Sequence, residues 1–320
     1  MIKISNFLSK NLPLLIILVG AGTYVSPIYW KTASWVPSLL LGVVIFFTGL
    51  SMNIDEIKGI RSKRKELVLA ALLKWTITVF VSIGLAFVFF QSNHEIAAGI
   101  ILSGTVPSAT AATLYTFLAG GNTSLVIASS LIDVGISPIV TPLSMLGLSG
   151  SSITISFLDL LKSFLLIVVI PMSTGLAVKQ FFPKMAAHSK DMTRFGSSLS
   201  LLLIIHTIVG NGTEAISQHI SFIPLIILAT FIQVVLPMFA AYVIAKKCSV
   251  AKEDARAILF QVGLCNTALA AILAFQFISE LAAIAPIINM IINLSVGSYI
   301  SNQFSAKGKI QALKIETGRH

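Results

Sequence analysis

Long apolar runs, separated by short polar and often basic segments, set the pattern of this chain. A helix needs about 20 mostly apolar residues to cross a bilayer. Ten runs qualify, at approximately 12–29, 35–53, 67–90, 95–118, 123–147, 156–179, 195–213, 221–245, 255–276 and 280–304. The first passes Gly20 without a convincing small-residue cleavage site, so it reads as the first span rather than a cleaved signal.

Composition narrows the class. Apolar residues are 56% of the 320 and charged residues 11%, with a mean hydropathy of +0.93. A soluble domain carries about 25% charged residues to keep its surface wet, so this chain has lipid for most of its solvent. Two cysteines, Cys248 and Cys265, cannot frame a disulfide fold, and the apolar content excludes disorder.

The net charge of +10 gains meaning from its placement. With ten spans and the N-terminus inside, 19 of the 22 basic residues fall in cytoplasmic segments, in clusters such as Lys58–Lys65 and Lys246–Arg256. Among the outer loops only 29–35 has one, Lys31. Basic residues in short loops fix orientation, so both termini are expected in the cytoplasm. The same dispersal removes nucleic acid as a partner, since no groove-lining patch is formed.

The ten runs divide as five plus five, with a joint in Gly147–Thr154, giving repeats 1–150 and 151–320. An odd number of spans per half inverts the second half, as in many secondary transporters. The fourth span of each half is interrupted. In the first half it reads SGTVPSATAATLYTF (Ser103–Phe117), around Pro107. In the second it reads FQVGLCNTALA (Phe260–Ala270), with Gly263, Asn266 and Thr267 in mid-span. A kink stabilised by Ser/Thr back-bonding accounts for either patch alone. Two at matching places point to a binding site at a helix crossing, where opened carbonyls hold cations and half-helix N-termini hold anions.

At these residues the chain resembles the bile acid:sodium symporter family. The matching pieces are FFTGLSMNIDEIK (Phe46–Lys58), the stretch Thr105–Leu143 and QVGLCNTALA (Gln261–Ala270). The resemblance implies an all-α membrane protein whose helices 1, 2, 6 and 7 form a panel. Helices 3–5 and 8–10 form a core with broken helices four and nine crossed. It also implies sodium-coupled uptake of an organic anion, a small carboxylate such as pantoate or a bile-salt-like steroid.

Several positions depart from that family's sodium ligands. Where the family's helix-nine motif has Glu and Gln, this chain has Gln261 and Cys265; its helix-four Ser-Asn pair falls on Ala112 and Thr113. A serine after the Gly-Asn turn becomes Val126, a hydroxyl one turn later persists as Ser130, and a helix-three Gln or His becomes Lys74. Gln261, Ser130 and Thr113 keep oxygens for a sodium ion, whereas Ala112, Val126 and Cys265 offer none.

Lys74, Asp133 and His206 fall well inside spans. Insertion scales put Lys or Asp near mid-membrane at about 3 kcal/mol, so each placement needs a reason. Lys74 is expected either as a tethered ammonium in place of an ion or as a snorkelling side chain two turns from the basic cluster. Asp133, three residues after Ser130, is expected either in ion coupling with Lys74, Gln261 and Asn266 or as a structural partner of hydroxyl and backbone groups. His206 reads as a satisfied packing histidine, and Asp159 with Lys162 as an interfacial pair.

The expected substrate contacts are Ser108, Thr110 and Thr113 at the first break, with Asn293 and Ser295 in helix ten; Thr110 and Asn293 carry the family resemblance. No cofactor is expected beyond sodium or a proton as coupling ion, and the partners are a small organic anion and lipid. The expected function is a secondary transporter in which Lys74 or a proton weakens or replaces sodium. The alternative is ordinary sodium symport through carbonyls, Gln261 and Ser130; a channel or ligand sensor is the rival class. No HExxH or GxSxG motif supports an enzyme.

Overall fold

The computed structural model describes residues 7–8, 11–26, 33, 35–51, 59–146, 157–182 and 189–317. Helices cover the expected apolar runs: α1 Leu12–Val25, α2 Val36–Ser51 and α3 Arg64–Phe90. The fourth run makes two short helices, α4 His94–Thr105 and α5 Thr110–Leu118. Beyond them lie α6 Thr123–Leu146, α7 Leu158–Phe181, α8 Ser189–Asn211 and α9 Ile223–Lys247. The ninth run is again divided, into α10 Lys252–Gly263 and α11 Thr267–Phe277, before α12 Glu280–Thr317. The expected joint at Gly147–Thr154 lies outside the described residues.

Five of these helices are long and apolar enough to cross a membrane: α3, α6, α7, α9 and α12. The others are shorter apolar helices or the paired halves of a broken run. The last helix runs well past the span end expected at 304, since little in the polar stretch that follows breaks a helix.

The core gathers on α4, α10, α11 and α12. Every residue from Ile96 to Thr105 in α4 is buried, as is every residue from Thr267 to Ala274 in α11. A helix apolar all round is one packed on every side. By contrast α1, α3, α7 and α9 leave large apolar side chains such as Leu18, Phe80, Leu166 and Phe239 exposed, the surface a lipid solvent wets.

Helices α1, α2, α7 and α8 pack against one another. Between α2 and α7 the packing is backbone to backbone. A Cβ added at Gly49 would collide with the Met172 carbonyl, and one at Gly175 with the Phe46 carbonyl. Only glycine permits that approach.

Both breaks have local causes. Pro107 has no amide to donate, and a residue before proline avoids the helical region; Val106 is accordingly extended. Beyond Gly263, Leu264 is extended and Asn266 restarts the helix, its side-chain Oδ1 accepting from the Leu269 amide at 3.3 Å. The carbonyl of Thr105, released by the first break, accepts from the Thr141 hydroxyl of α6.

Candidate functional site

The two breaks meet. Ser108 and Cys265 form an isolated antiparallel bridge. The Ala109 amide donates to the Leu264 carbonyl and the Asn266 amide to the Pro107 carbonyl, both at 2.8 Å. Each extended segment thus satisfies the groups that the other leaves without helical partners, as buried backbone requires.

Behind this bridge lies a buried polar cluster. Asp133 of α6, 1% exposed, is surrounded by donors. Its Oδ2 accepts from Ser108 Oγ at 2.6 Å, Gln261 Nε2 at 2.8 Å and the Ser108 amide at 3.3 Å. Its Oδ1 accepts from Trp75 Nε1 at 2.9 Å. Ser108 Oγ also lies 2.6 Å from the Gln261 carbonyl, and Ser130 donates to Gln261 Oε1 at 3.3 Å. Asp133 therefore does take hydroxyl and backbone partners, within one cluster that also holds the ion-coupling candidates Gln261 and Ser130.

Lys74 does not snorkel. Its side chain is fully buried, and Nζ donates to Cys265 Sγ at 2.7 Å. Lys74 and Trp75 open a π-helical turn, Lys74–Thr78, inside α3; such turns often sit at functional sites. Lys63–Asp254 and Lys162–Asp159 form ion pairs away from the crossing.

In front of the bridge is a cavity of about 210 Å³. Its floor is the crossing, with Ser108, Thr110, Thr113, Cys265 and Asn266. Asn293 of α12 joins them, while α1, α2, α7 and α8 supply apolar side chains such as Leu41, Val168 and Leu201. Thr110 is exposed to it and its hydroxyl lies 3.4 Å from that of Thr48. Asn293 has a fixed orientation. Its Nδ2 donates to the Cys265 carbonyl at 3.1 Å, and its buried Oδ1 has no partner. Since a carbonyl can only accept, the amide oxygen is the end left open. Ser295, also expected to bind substrate, is exposed and does not line this cavity.

Of the positions where the family places sodium ligands, Ala112 and Val126 are apolar and fully buried. Cys265 offers a sulfur already engaged by Lys74. Oxygens remain on Gln261, Ser130 and Thr113.

Five members of the network are absent from the sequence expectation: Trp75, Thr78, Ser82, Gln233 and Asn289. Gln233 Nε2 donates to Ser82 Oγ and to the Ile100 carbonyl, each at 2.7 Å, and its Oε1 accepts from Asn289 Nδ2 at 2.7 Å. Ser82 donates to the Thr78 carbonyl at 2.6 Å, and Thr78 Oγ1 to the Val262 carbonyl at 2.9 Å. This chain of bonds ties α9 and α12 to the end of α10. A lone glutamine within a 25-residue apolar helix was the available signal. His206 bonds Thr23 through Nδ1 at 2.8 Å, between α8 and α1, away from the crossing.

At the basic end, Asp254 of α10 accepts from Lys63 Nζ at 2.5 Å and Asn122 Nδ2 at 2.7 Å. Arg256 Nη1 donates to the Ala119 carbonyl at 2.8 Å, at the turn where Gly120 takes φ +65°. The hydrogen bond from Lys63 to Asp254, reinforced by their opposite charges, holds the Lys63 ammonium above the ordinary lysine range.

Comparison with known proteins identifies the family. Residues 38–219 match the family model described as Sodium Bile acid symporter family. The chain is 29% identical over 308 residues to an uncharacterized sodium-dependent transporter, YocS, of Bacillus subtilis (strain 168), covering 96% of this chain and 94% of that protein. It is 26% identical over 279 residues to the probable sodium/metabolite cotransporter BASS1, chloroplastic, of Arabidopsis thaliana, covering 85% of this chain and 67% of that protein. The family match covers more than half of the chain, and this integral membrane protein belongs to the sodium bile acid symporter family.

Proposed function

We propose that this protein is a secondary active transporter of a small organic anion, working by alternating access, with Lys74 replacing a coupling ion. The observation that carries the reading is the meeting of two broken helices beneath a cavity whose other wall belongs to separately packed helices. Helices α1, α2, α7 and α8 act as panel and α3–α6 with α9–α12 as core, in ten spans arranged as inverted halves. Both termini and the basic end face the cytoplasm of a bacterial cell.

The ligand follows from the free groups. The first turn of α5 has no side-chain cap, and a helix N-terminus favours a carboxylate; Thr110 and Thr113 stand beside it. Asn293 Oδ1 accepts only, so the ligand presents a hydroxyl or N–H there. A hydroxylated carboxylate of pantoate size meets both demands within about 210 Å³.

Lys74 supports the coupling. An ammonium and a sodium ion in one small pocket repel by about 4 kcal/mol at 4 Å and an effective dielectric near 20. Two expected sodium ligands are apolar, so Lys74 takes the ion's electrostatic place, with proton movement through Lys74 or Asp133 as the accompanying option.

A second reading keeps sodium, held by carbonyls at the α10 break with Gln261 and Ser130. The similarity to a Bacillus protein named as a sodium-dependent transporter and an Arabidopsis one named as a probable sodium/metabolite cotransporter favours it. Uptake into proteoliposomes under separate sodium and pH gradients decides. Uptake indifferent to sodium and abolished by Lys74→Ala supports Lys74 coupling; steep sodium dependence surviving Lys74→Gln supports the second reading.

A further inference from the structure

The cation at this crossing is part of the chain, and that alters the charge carried in each transport cycle. Lys74 is fully buried with Nζ on Cys265 Sγ, and Asp133 is buried behind the same bridge, bonded by Ser108, Gln261 and Trp75. Three proton-holding groups therefore lie at one crossing, Lys74 through Cys265 and Asp133 through Ser108. Ammonium with carboxylate and thiol sums to zero. So does ammonium with carboxylic acid and thiolate, and so does amine with carboxylic acid and thiol. However the cluster's protons are shared, its net charge stays zero as long as none leaves. The Lys63–Asp254 pair lies at the basic end, and His206 is bonded to Thr23 away from the crossing.

A sodium ion that enters with an anion is released with it, so its charge crosses the membrane. Lys74 is not released; it returns with the empty carrier. We propose that this protein therefore moves its organic anion as a bare negative charge, so that a membrane negative inside drives the anion outward, making the protein an electrogenic exporter. The proposal rests on the reading of Lys74 as the resident cation. Its sign is distinctive. One sodium per monoanion gives flux indifferent to voltage, and more than one gives accumulation favoured by a negative interior. A tethered lysine gives the reverse, worth about fifty-fold in concentration ratio per 100 mV for one charge.

The test uses the full-length protein in sodium-free liposomes, with labelled pantoate and, in parallel, labelled taurocholate as probes. Counterflow is measured first. Net uptake is then measured with potassium gradients and valinomycin setting the interior positive or negative by 100 mV. Expected is uptake several-fold faster with the interior positive, and a plateau ratio between the two settings that tends toward the squared fifty-fold limit. Counterflow with no voltage response, or with faster uptake into a negative interior, overturns this proposal alone and leaves the carrier reading intact. No counterflow of either probe overturns both. Lys74→Gln should lose the response and acquire a requirement for an added cation, while Lys74→Arg should keep it. If Lys74→Gln does not fold, the sign measured on the unaltered protein still decides.

Discussion

The indole of Trp75 donates to Asp133 Oδ1 at 2.9 Å, while the other carboxyl oxygen takes Ser108 and Gln261 from the two broken helices. Two neighbouring residues of α3, Trp75 and Lys74, thus reach opposite parts of one crossing, the first through Asp133 and the second through Cys265. Trp75→Phe removes one donor from a buried carboxyl group. It should cost about 1–3 kcal/mol of stability, read as a lower melting temperature in detergent. Unchanged melting would show that water replaces the indole.

Asp133→Ala is expected to be more severe. It leaves the Trp75, Gln261 and Ser108 donors without their acceptor, and each buried donor left unpaired costs about 1–3 kcal/mol. Expression with a strongly lowered melting temperature is the expected result; a native melting temperature would show that the bridge holds without the carboxyl group.

Asn293→Leu should weaken binding of the transported anion by about 1–3 kcal/mol, the cost of losing a buried polar contact. Asn293→Asp keeps an acceptor toward the cavity but turns an oxygen on the Cys265 carbonyl and adds a negative charge, so it should bind still more weakly. Competition against labelled pantoate in counterflow reads both. Asn293→Asp binding as well as the parent would mean that Nδ2 is not held by Cys265.

Gly263 ends α10 against Met238, whose side chain a Cβ would strike. Gly263→Ala should destabilise by about 1–3 kcal/mol through overpacking, and Met238→Ala in the same chain should recover part of that loss. The two changes costing their simple sum in thermal unfolding would refute direct packing between them.

The Lys63–Asp254 pair has a pH signature outside the membrane spans. The folded lysine is raised above its ordinary 10.5. Its contribution is fully present below that value and is lost as pH climbs through the higher folded one. Melting temperature of the parent minus that of Asp254→Asn should stay constant to about pH 10 and shrink above it. A difference that stays undiminished as pH climbs well above that value would contradict the pairing.

Much of this arrangement is legible in the chain. Apolar length places the helices, because a bilayer demands length and little else. The breaks announce themselves through Pro107 and Gly263, where backbone chemistry alone stops a helix. What sequence could not supply is who meets whom. Ser108 and Cys265 are 157 positions apart along the chain and carry no mutual signal. Lys74 was open to two readings because its position along α3 says nothing of the direction its four-carbon arm takes; the π-turn and the sulfur waiting at the break decide that. Gln233 and Asn289 stand singly in apolar helices, and only the folded chain shows that they bond each other. Ser295 illustrates the reverse, a polar residue near Asn293 in sequence that faces away from the cavity.

The seam between α2 and α7 has a mechanical consequence. Where Gly49 and Gly175 bring main chain against main chain, there is no layer of rotatable side chains to act as a bearing. Those two helices cannot roll or slide without lifting apart, so they should travel as a single plank. Motion that opens the cavity must then fall along its other edge, where Thr48 meets Thr110 through a long 3.4 Å contact between hydroxyls. The stiffness of one joint thereby selects the line along which the molecule gives way.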